Sequence, residues 1–556
     1  MVDLIRRRAG TTPKQLALVA AILASSIAAV DASAVNVALP AIGRDLGGGF
    51  AAQQWVANAY LLTLSALILP AGSLTDRLGE RTVFVAGVAG FGVGSALCAA
   101  APSAAVLIGA RALQGVFSAM LTPAALAIIV AVFPKPERGA AVGTWTAWSG
   151  IGIVAGPLIG GELVDAASWR WIFLVNVPLV IAALMLARVA VPGRAQSAGA
   201  AIDWPGAVFA ALGLSGVSFT LIELPVLGWS DPAVAAGLVV GVISLVAFVM
   251  REMRAQEPML PVSLLRHRNF SVANAQTFAI YGAIALLGFM VTIYLQQVAG
   301  WSALKSGVTG LVPTVVMFVL SARMGRLADR YGPRPFLTVG PLLLAAGFAL
   351  MVRYGTSVSL LTDVLPALLV FSLGLAATVA PLTATVLADA GESQAGIASA
   401  VNNAIARTAG LIAIAAVGAI VSSYYGSLMH SRLDRRLPPS SRQAVSDAAR
   451  RTFGRVSAAA LPAGDRAVAR AAAAESSAQA FHLGVGIATG LLAAAGVGGL
   501  ALAPRRRRVS AGDCAGGQFA AQPLAVAAGE LVDGGPEGAG DALAVRPASS
   551  ISTSRS

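Results

Sequence analysis

Apolar residues fill long stretches of this chain, and short breaks rich in Gly, Pro, Asp and Arg interrupt them at intervals. A helix crossing a hydrocarbon core of about 30 Å needs about 20 such residues, at about 1.5 Å of rise each. Leu16–Leu39, Val83–Ala101, Trp171–Ala190, Ala233–Met250 and Phe336–Val352 meet that length. The pattern predicts helices near 16–40, 55–72, 83–101, 104–132, 140–161, 171–190, 205–226 and 232–250. Six more are expected near 271–296, 306–322, 335–352, 363–388, 397–423 and 479–503, fourteen in all. The fold class is therefore an all-α membrane protein.

Composition supports that class. Of the 556 residues 57% are hydrophobic and 12% charged, whereas a soluble chain carries about a quarter charged. The net charge of +13 does not suggest nucleic acid, because the Arg residues sit in short clusters between apolar runs. Arg6–Arg8, Arg77 and Arg81, Lys135 and Arg138, Arg251 and Arg254, Arg323–Arg334 and Arg505–Arg508 fall on one side of the fourteen-span arrangement. That asymmetry predicts a cytoplasmic face carrying both termini. The Arg-rich segment 424–478 breaks the pattern and is expected as a long loop on the opposite face. Ala32-Ser33-Ala34 could pass for a leader cleavage site, but apolar character resumes at Val35–Pro40, so the first helix is expected to be retained. Residues 504–556 lack apolar periodicity and are expected to be a disordered cytoplasmic tail. The two cysteines, Cys98 and Cys514, have no metal-binding spacing, and no phosphate-cradling Gly-x4-Gly-Lys-Ser/Thr loop occurs. No cofactor is expected.

One loop occurs twice. Gly72-Ser73-Leu74-Thr75-Asp76-Arg77-Leu78-Gly79-Glu80-Arg81 returns as Gly325-Arg326-Leu327-Ala328-Asp329-Arg330-Tyr331-Gly332-Pro333-Arg334, and Gly87 matches Gly340. Asp-Arg with Gly makes a serviceable polar turn, but a turn alone does not require six coincident positions. Matching loops in two halves mark a duplicated transporter. The carboxylates can meet helix N-termini or Arg, forming a latch that makes and breaks between states.

This loop resembles the signature loop of the major facilitator superfamily, and further likenesses run from residue 31 to residue 410. Leu107–Ala119, with Arg111, Gln114 and Gly115, resembles the fourth-helix motif associated with proton transfer. Gly152-Ile153-Val154-Ala155-Gly156-Pro157-Leu158-Ile159-Gly160-Gly161 resembles the fifth-helix antiporter motif. Asp31-Ala32-Ser33-Ala34-Val35-Asn36-Val37-Ala38-Leu39-Pro40 and Trp169–Pro178 are similar to segments of the fourteen-span drug:proton antiporters. The resemblance implies two six-helix bundles, at 16–190 and 271–503, separated by a linker at 191–270 with two extra spanning helices. It also implies proton-coupled efflux of amphiphilic drugs or antibiotics from a bacterial plasma membrane. Glu80 and Pro333 depart from the basic residue usual in the loop, and Ser33 from the usual Thr, so the two latches are expected to be unequal.

An ionisable side chain at mid-bilayer costs at least about 2.5–3.5 kcal/mol. Asp31 lies roughly 13 Å from the outer end of its helix, and Arg111 lies roughly 10 Å into the fourth. At such similar depths Arg111 can hold an ionised Asp31, and protonation would release it. The alternatives are a static ion pair, or an Asp31 that caps a local kink. Gly152, Gly156 and Gly160 form a small-residue stripe for close helix packing, and Pro157 adds a bend. Asn36 and Arg407 are further candidates for a central cavity. Asn58, Tyr60, Gln276, Tyr281 and Gln296, with Trp145 and Trp148, are candidate lining residues or interface anchors. Two rivals remain on residues alone: a transporter of an endogenous metabolite on the same fold, and a non-transporting membrane sensor. The second would need a folded soluble domain or catalytic cluster, and His267, His430 and His482 form none.

Overall fold

The computed structural model describes residues 12–193, 203–255, 264, 266–390, 395–436 and 463–502. Fourteen helices in it are long and apolar enough to cross a membrane. They are built on α1 (Pro13–Leu46), α2 (Gly49–Leu78), α3 (Glu80–Ala100), α4 (Ala104–Val132), α5 (Lys135–Ala166) and α6 (Asn176–Ala190), the last span starting at the short helix Trp171–Leu174. The linker supplies α7 (Trp204–Leu227) and α8 (Pro232–Arg254). The second half holds α9 (Arg268–Leu286), α10 (Leu311–Tyr331), α11 (Pro333–Leu350), α12 (Leu365–Ala390), α13 (Ala395–Arg436) and α14 (Ala463–Gly498). A π turn at Leu287–Val291 and a short helix, Thr292–Gln297, extend α9.

Polar residues set several helix starts. Gln15 Oε1 accepts from the Thr12 amide ahead of α1 at 2.9 Å. Asp203 Oδ1 takes the Gly206 amide at 3.0 Å and Arg251 Nε at 2.6 Å, which ties the start of α7 to the end of α8. These are ordinary caps, satisfying amides that a helix leaves unpaired at its N-terminus. Glycines then bring helices together. A Cβ on Gly216 would lie 2.5 Å from the Gly237 carbonyl, so α7 and α8 touch backbone to backbone. The α7 helix packs against both α2 and α13, along the seam between the halves.

One expectation changes. The segment 424–478 is not simply a loop: α13 continues to Arg436 and α14 begins at Ala463. At about 1.5 Å per residue, the 42 residues of α13 outrun a hydrocarbon core of about 30 Å. The extensions pack together, with Leu433, Ala469, Ala472 and Ala473 buried and Arg432 reaching Ser476 at 3.0 Å and Glu475 at 3.6 Å. Ala, Arg and Glu are good helix formers, so a segment too polar to read as a membrane span still folds as helix. Residues 1–11, 437–462 and the expected tail at 504–556 lie outside the described residues.

Candidate functional site

Inside the first half, α1, α3, α4 and α6 each contribute a polar side chain to one buried point. Asp31 on α1 is 1% exposed and so is Arg111 on α4, and Arg111 Nη1 meets Asp31 Oδ2 at 2.5 Å. The other carboxylate oxygen accepts from Gln114 Nε2 at 2.9 Å and Asn176 Nδ2 at 3.0 Å. Ser95 on α3 receives both amides, at 2.8 Å from Gln114 and 3.3 Å from Asn176. Arg111 also donates from Nη1 to Gln114 Oε1 at 2.5 Å and from Nε to the Val56 carbonyl at 3.3 Å. Its guanidinium lies 4.4 Å from the Tyr60 ring centroid, a cation–π distance. Tyr60 is fixed in turn by a 2.7 Å hydrogen bond with Ser118.

Helix geometry explains the convergence. Arg111 and Gln114 are three residues apart, so they share a face of α4. Gly94 and Gly115 let the neighbouring helices close in: a Cβ on Gly94 would lie 3.0 Å from Gln114, and one on Gly115 would strike Thr63 and the Tyr60 carbonyl. The result is an ionised pair with three donors on the carboxylate, which offsets the cost of burying charge. Such a centre can hold or exchange one proton.

Other candidates stand elsewhere. Asn36 points away from this centre toward the second half, with its amide nitrogen 3.3 Å from where a Cβ on Gly288 would sit. Arg407 on α13 is half-buried and is not part of the network. Gln276 donates to the Leu337 and Ala495 carbonyls, so it ties helices of the second half together. Gln296 spans the halves, donating to the Val37 carbonyl at 2.9 Å.

The glycine stripe has two jobs. Gly152, Gly156 and Gly160 face α1: added Cβ atoms would collide with Ser26, with Ser33 and Val30, and with Ala34. Gly161 and Pro157 face the other half instead. A Cβ on Gly161 would lie 2.6 Å from Leu304 Cα, and one on Gly307 would strike the Pro157 carbonyl. Beside them Asp165 accepts the Ala303 and Leu304 amides at 3.0 and 2.8 Å. Gln54 donates to the Ile414 carbonyl at 2.8 Å. These contacts join the halves at the end of the molecule opposite the repeated loops.

The repeated loops share a backbone conformation. Gly79 has φ +84° and Gly332 φ +85°, the left-handed region that favours glycine. Around them the side chains are loose. Asp76, Arg77, Asp329 and Arg330 are exposed, and neither carboxylate joins an ion pair among the described residues. An added Cβ on Gly72 would meet nothing within 4 Å, and one on Gly325 only Ala380 at 3.9 Å. Arg81 donates to the Arg188 carbonyl at 3.2 Å, and Arg330 lies 5.4 Å from the Tyr331 ring centroid. Arg334 is half-buried. The loop carboxylates thus have no ion-pair partner among the described residues, while the contacts at the opposite end are made.

Ser95 and Asn176 complete the buried centre, yet an uncharged side chain in an apolar run gave Ser95 no signal of its own. Asn176 stood out only through the Trp169–Pro178 likeness.

The family model described as Major Facilitator Superfamily matches residues 21–415. The chain belongs to the major facilitator superfamily. Its fourteen spans, four-helix buried centre and repeated loops fit the fourteen-span drug:proton antiporter group within it. The chain is 36% identical over 72% of its length to the puromycin resistance protein pur8 of Streptomyces alboniger, covering 81% of that protein. It is 34% identical to the tetracenomycin C resistance and export protein of Streptomyces glaucescens, over 78% of this chain and 81% of that one. It is also 32% identical to the multidrug efflux pump LfrA of Mycolicibacterium smegmatis, over 75% of this chain and 83% of that one. Among solved structures, a bacterial homologue of the human lysosomal transporter Spinster, inward-facing and unoccupied, matches with a TM-score of 0.60. The two are 17% identical, over 88% of this chain and 98% of that one, which shows the shared fold. The protein is a multi-pass membrane transporter.

Proposed function

We propose that this major facilitator protein exports amphiphilic drugs or antibiotics from a bacterial plasma membrane, by alternating access and in exchange for protons, with both termini cytoplasmic. The observation that carries the reading is the buried Asp31–Arg111 pair, held by Gln114 and Asn176 inside one half. The resistance and export roles in the names of its relatives supply the substrate class.

The transport cycle follows from what each contact can do. In the observed state the loop carboxylates have no ion-pair partner among the described residues, and Asp31 is buried. Opening the far end must break the Gln296–Val37, Gln54–Ile414 and Asp165 contacts. That opening gives an external proton a route to Asp31. Protonation cancels the carboxylate charge and loosens Arg111, whose remaining partners are Gln114, the Val56 carbonyl and the Tyr60 ring. A buried charge that loses its partner costs about 3–5 kcal/mol, so the two protonation states favour different packings of α1 against α4. When the loop side closes, Asp76 and Asp329 engage as latches. One charge moving down 100 mV supplies about 2.3 kcal/mol, about 1.6 decades of gradient at about 1.4 kcal/mol per decade.

Accumulation of an amphiphilic dye in expressing cells, with and without a protonophore, tests the reading. Expression should lower accumulation, and the protonophore should restore it. Asp31→Asn keeps the shape and the amide contacts, and should cut protonophore-sensitive efflux at least ~10-fold at equal expression, one decade being about 1.4 kcal/mol. Efflux at the wild-type rate in that variant would remove Asp31 from the coupling role.

A further inference from the structure

The contacts that close the two halves run along α2 and α13. Gln54 faces Ile414 and Gly418, and Leu61 faces Gly410 along with Ala285 of α9. Toward the loop side the next turn of α13 carries Arg407. Gly410, three residues further along α13, lies between Leu61 of the first half and Ala285 of the second, so Arg407 sits one turn below that meeting point. Arg407 therefore stands at the inner edge of the seal, on the side of the repeated loops.

No carboxylate among the described residues pairs with the Arg407 side chain. Its Nε is buried without a hydrogen-bond partner. The nearby asparagines do not compensate. Asn402 spends its amide on Asn274 and Thr277, and Asn403 leaves its Oδ1 unpartnered. Two acids of the first half and the linker have partners of their own: Asp31 pairs with Arg111, and Glu223 accepts from the Trp55 indole at 2.7 Å.

We propose that Arg407 is the anion-recognising pole of the substrate site, so that the protein favours amphiphiles bearing a carboxylate or similarly acidic oxygen over permanent cations. A guanidinium stays charged at all working pH values and receives a carboxylate through two parallel hydrogen bonds. Away from bulk water its field attracts an anion and repels a cation far more strongly than it would at a wet surface. The inference rests on the export reading above, and adds the sign of charge on the cargo.

The test uses purified full-length protein and two xanthene dyes of similar size, one a carboxylate anion and one an esterified cation, with binding followed by fluorescence anisotropy. The wild type should bind the anionic dye ~10-fold or more tightly than the cationic one, the worth of one charge-assisted contact. Arg407→Gln should abolish most of that preference, Arg407→Lys should keep much of it, and Arg407→Glu should reverse it. Equal or tighter wild-type binding of the cationic dye overturns the proposal, and so does an unchanged preference in a folded Arg407→Gln variant. Should Arg407→Gln fail to fold, the wild-type ratio and the Arg407→Lys ratio decide. Binding needs no proton gradient. Anion preference without protonophore-sensitive export would therefore sink the export reading and leave the Arg407 assignment standing.

Discussion

The two halves repeat a loop but not a core. The first half buries an ion pair with four polar partners, Gln114, Asn176, Ser95 and Tyr60, arranged about Asp31 and Arg111. Where the end of the α9 extension and α14 meet the connection after α11, the second half is aromatic. Tyr294 stacks on Phe481 at 4.2 Å between centroids, Tyr354 stacks on the same ring at 5.9 Å, and Phe348 meets Phe371 edge-on at 5.6 Å. The phenol of Tyr294 bonds the Gly355 carbonyl at 2.8 Å, and His482 bonds the Tyr354 carbonyl at 2.8 Å. A charged centre can change with a proton, whereas an aromatic one holds its shape. The repeated loops stand in both halves, and the buried ion pair in one.

The sharpest way to break this contrast is Arg111→Ala. It strands Asp31 in a dry site, and losing one partner of a buried pair should cost about 3–5 kcal/mol together with all coupled transport. A melting curve in detergent and a dye-efflux assay would show both losses, and a variant as stable as wild type would refute the charged-centre account. Phe481→Ala probes the aromatic side. Removing a ring that touches both Tyr294 and Tyr354 should lower stability by about 3 kcal/mol. Efflux by the molecules that remain folded should still respond to a protonophore, and loss of that response at intact fold would place coupling in the second half too. The loops give the smallest effect and the finest test. Asp76→Ala and Asp329→Ala should leave the melting point near wild type, since both carboxylates are exposed and unpaired in this state. Transport should fall several-fold further for Asp76→Ala, whose loop is anchored by Arg81 to the Arg188 carbonyl. Matching losses would argue for equal latches.

Much of this was visible in the sequence because hydrophobic length and isolated charge are strong signals in a membrane chain. Apolar runs mark the spans, although several helices overrun them: α1 reaches Leu46 and α2 starts at Gly49. Asp31 and Arg111 stand out as charges at similar depths, and the structure puts them in contact. What residue type does not encode is azimuth. Gln276 and Gln296 look alike as polar residues in apolar runs, yet one staples the second bundle internally and the other crosses between bundles. Polarity also hid the helical extensions of α13 and α14, because a search for apolar runs stops where a helix leaves the membrane.

The α5 helix touches its own bundle on one side and the other half on the other, and the change falls between two adjacent glycines. Gly160 abuts Ala34 in its own bundle, while Gly161 abuts Leu304 across the divide. A side chain gained at position 160 would burden every conformation alike, as a cost of assembly. One gained at position 161 would burden only the state in which the far end is shut, and so would alter the balance of the cycle. Adjacent codons thus carry separate evolutionary freedoms: a lineage can retune how long its pump faces each side of the membrane without renegotiating how the protein folds.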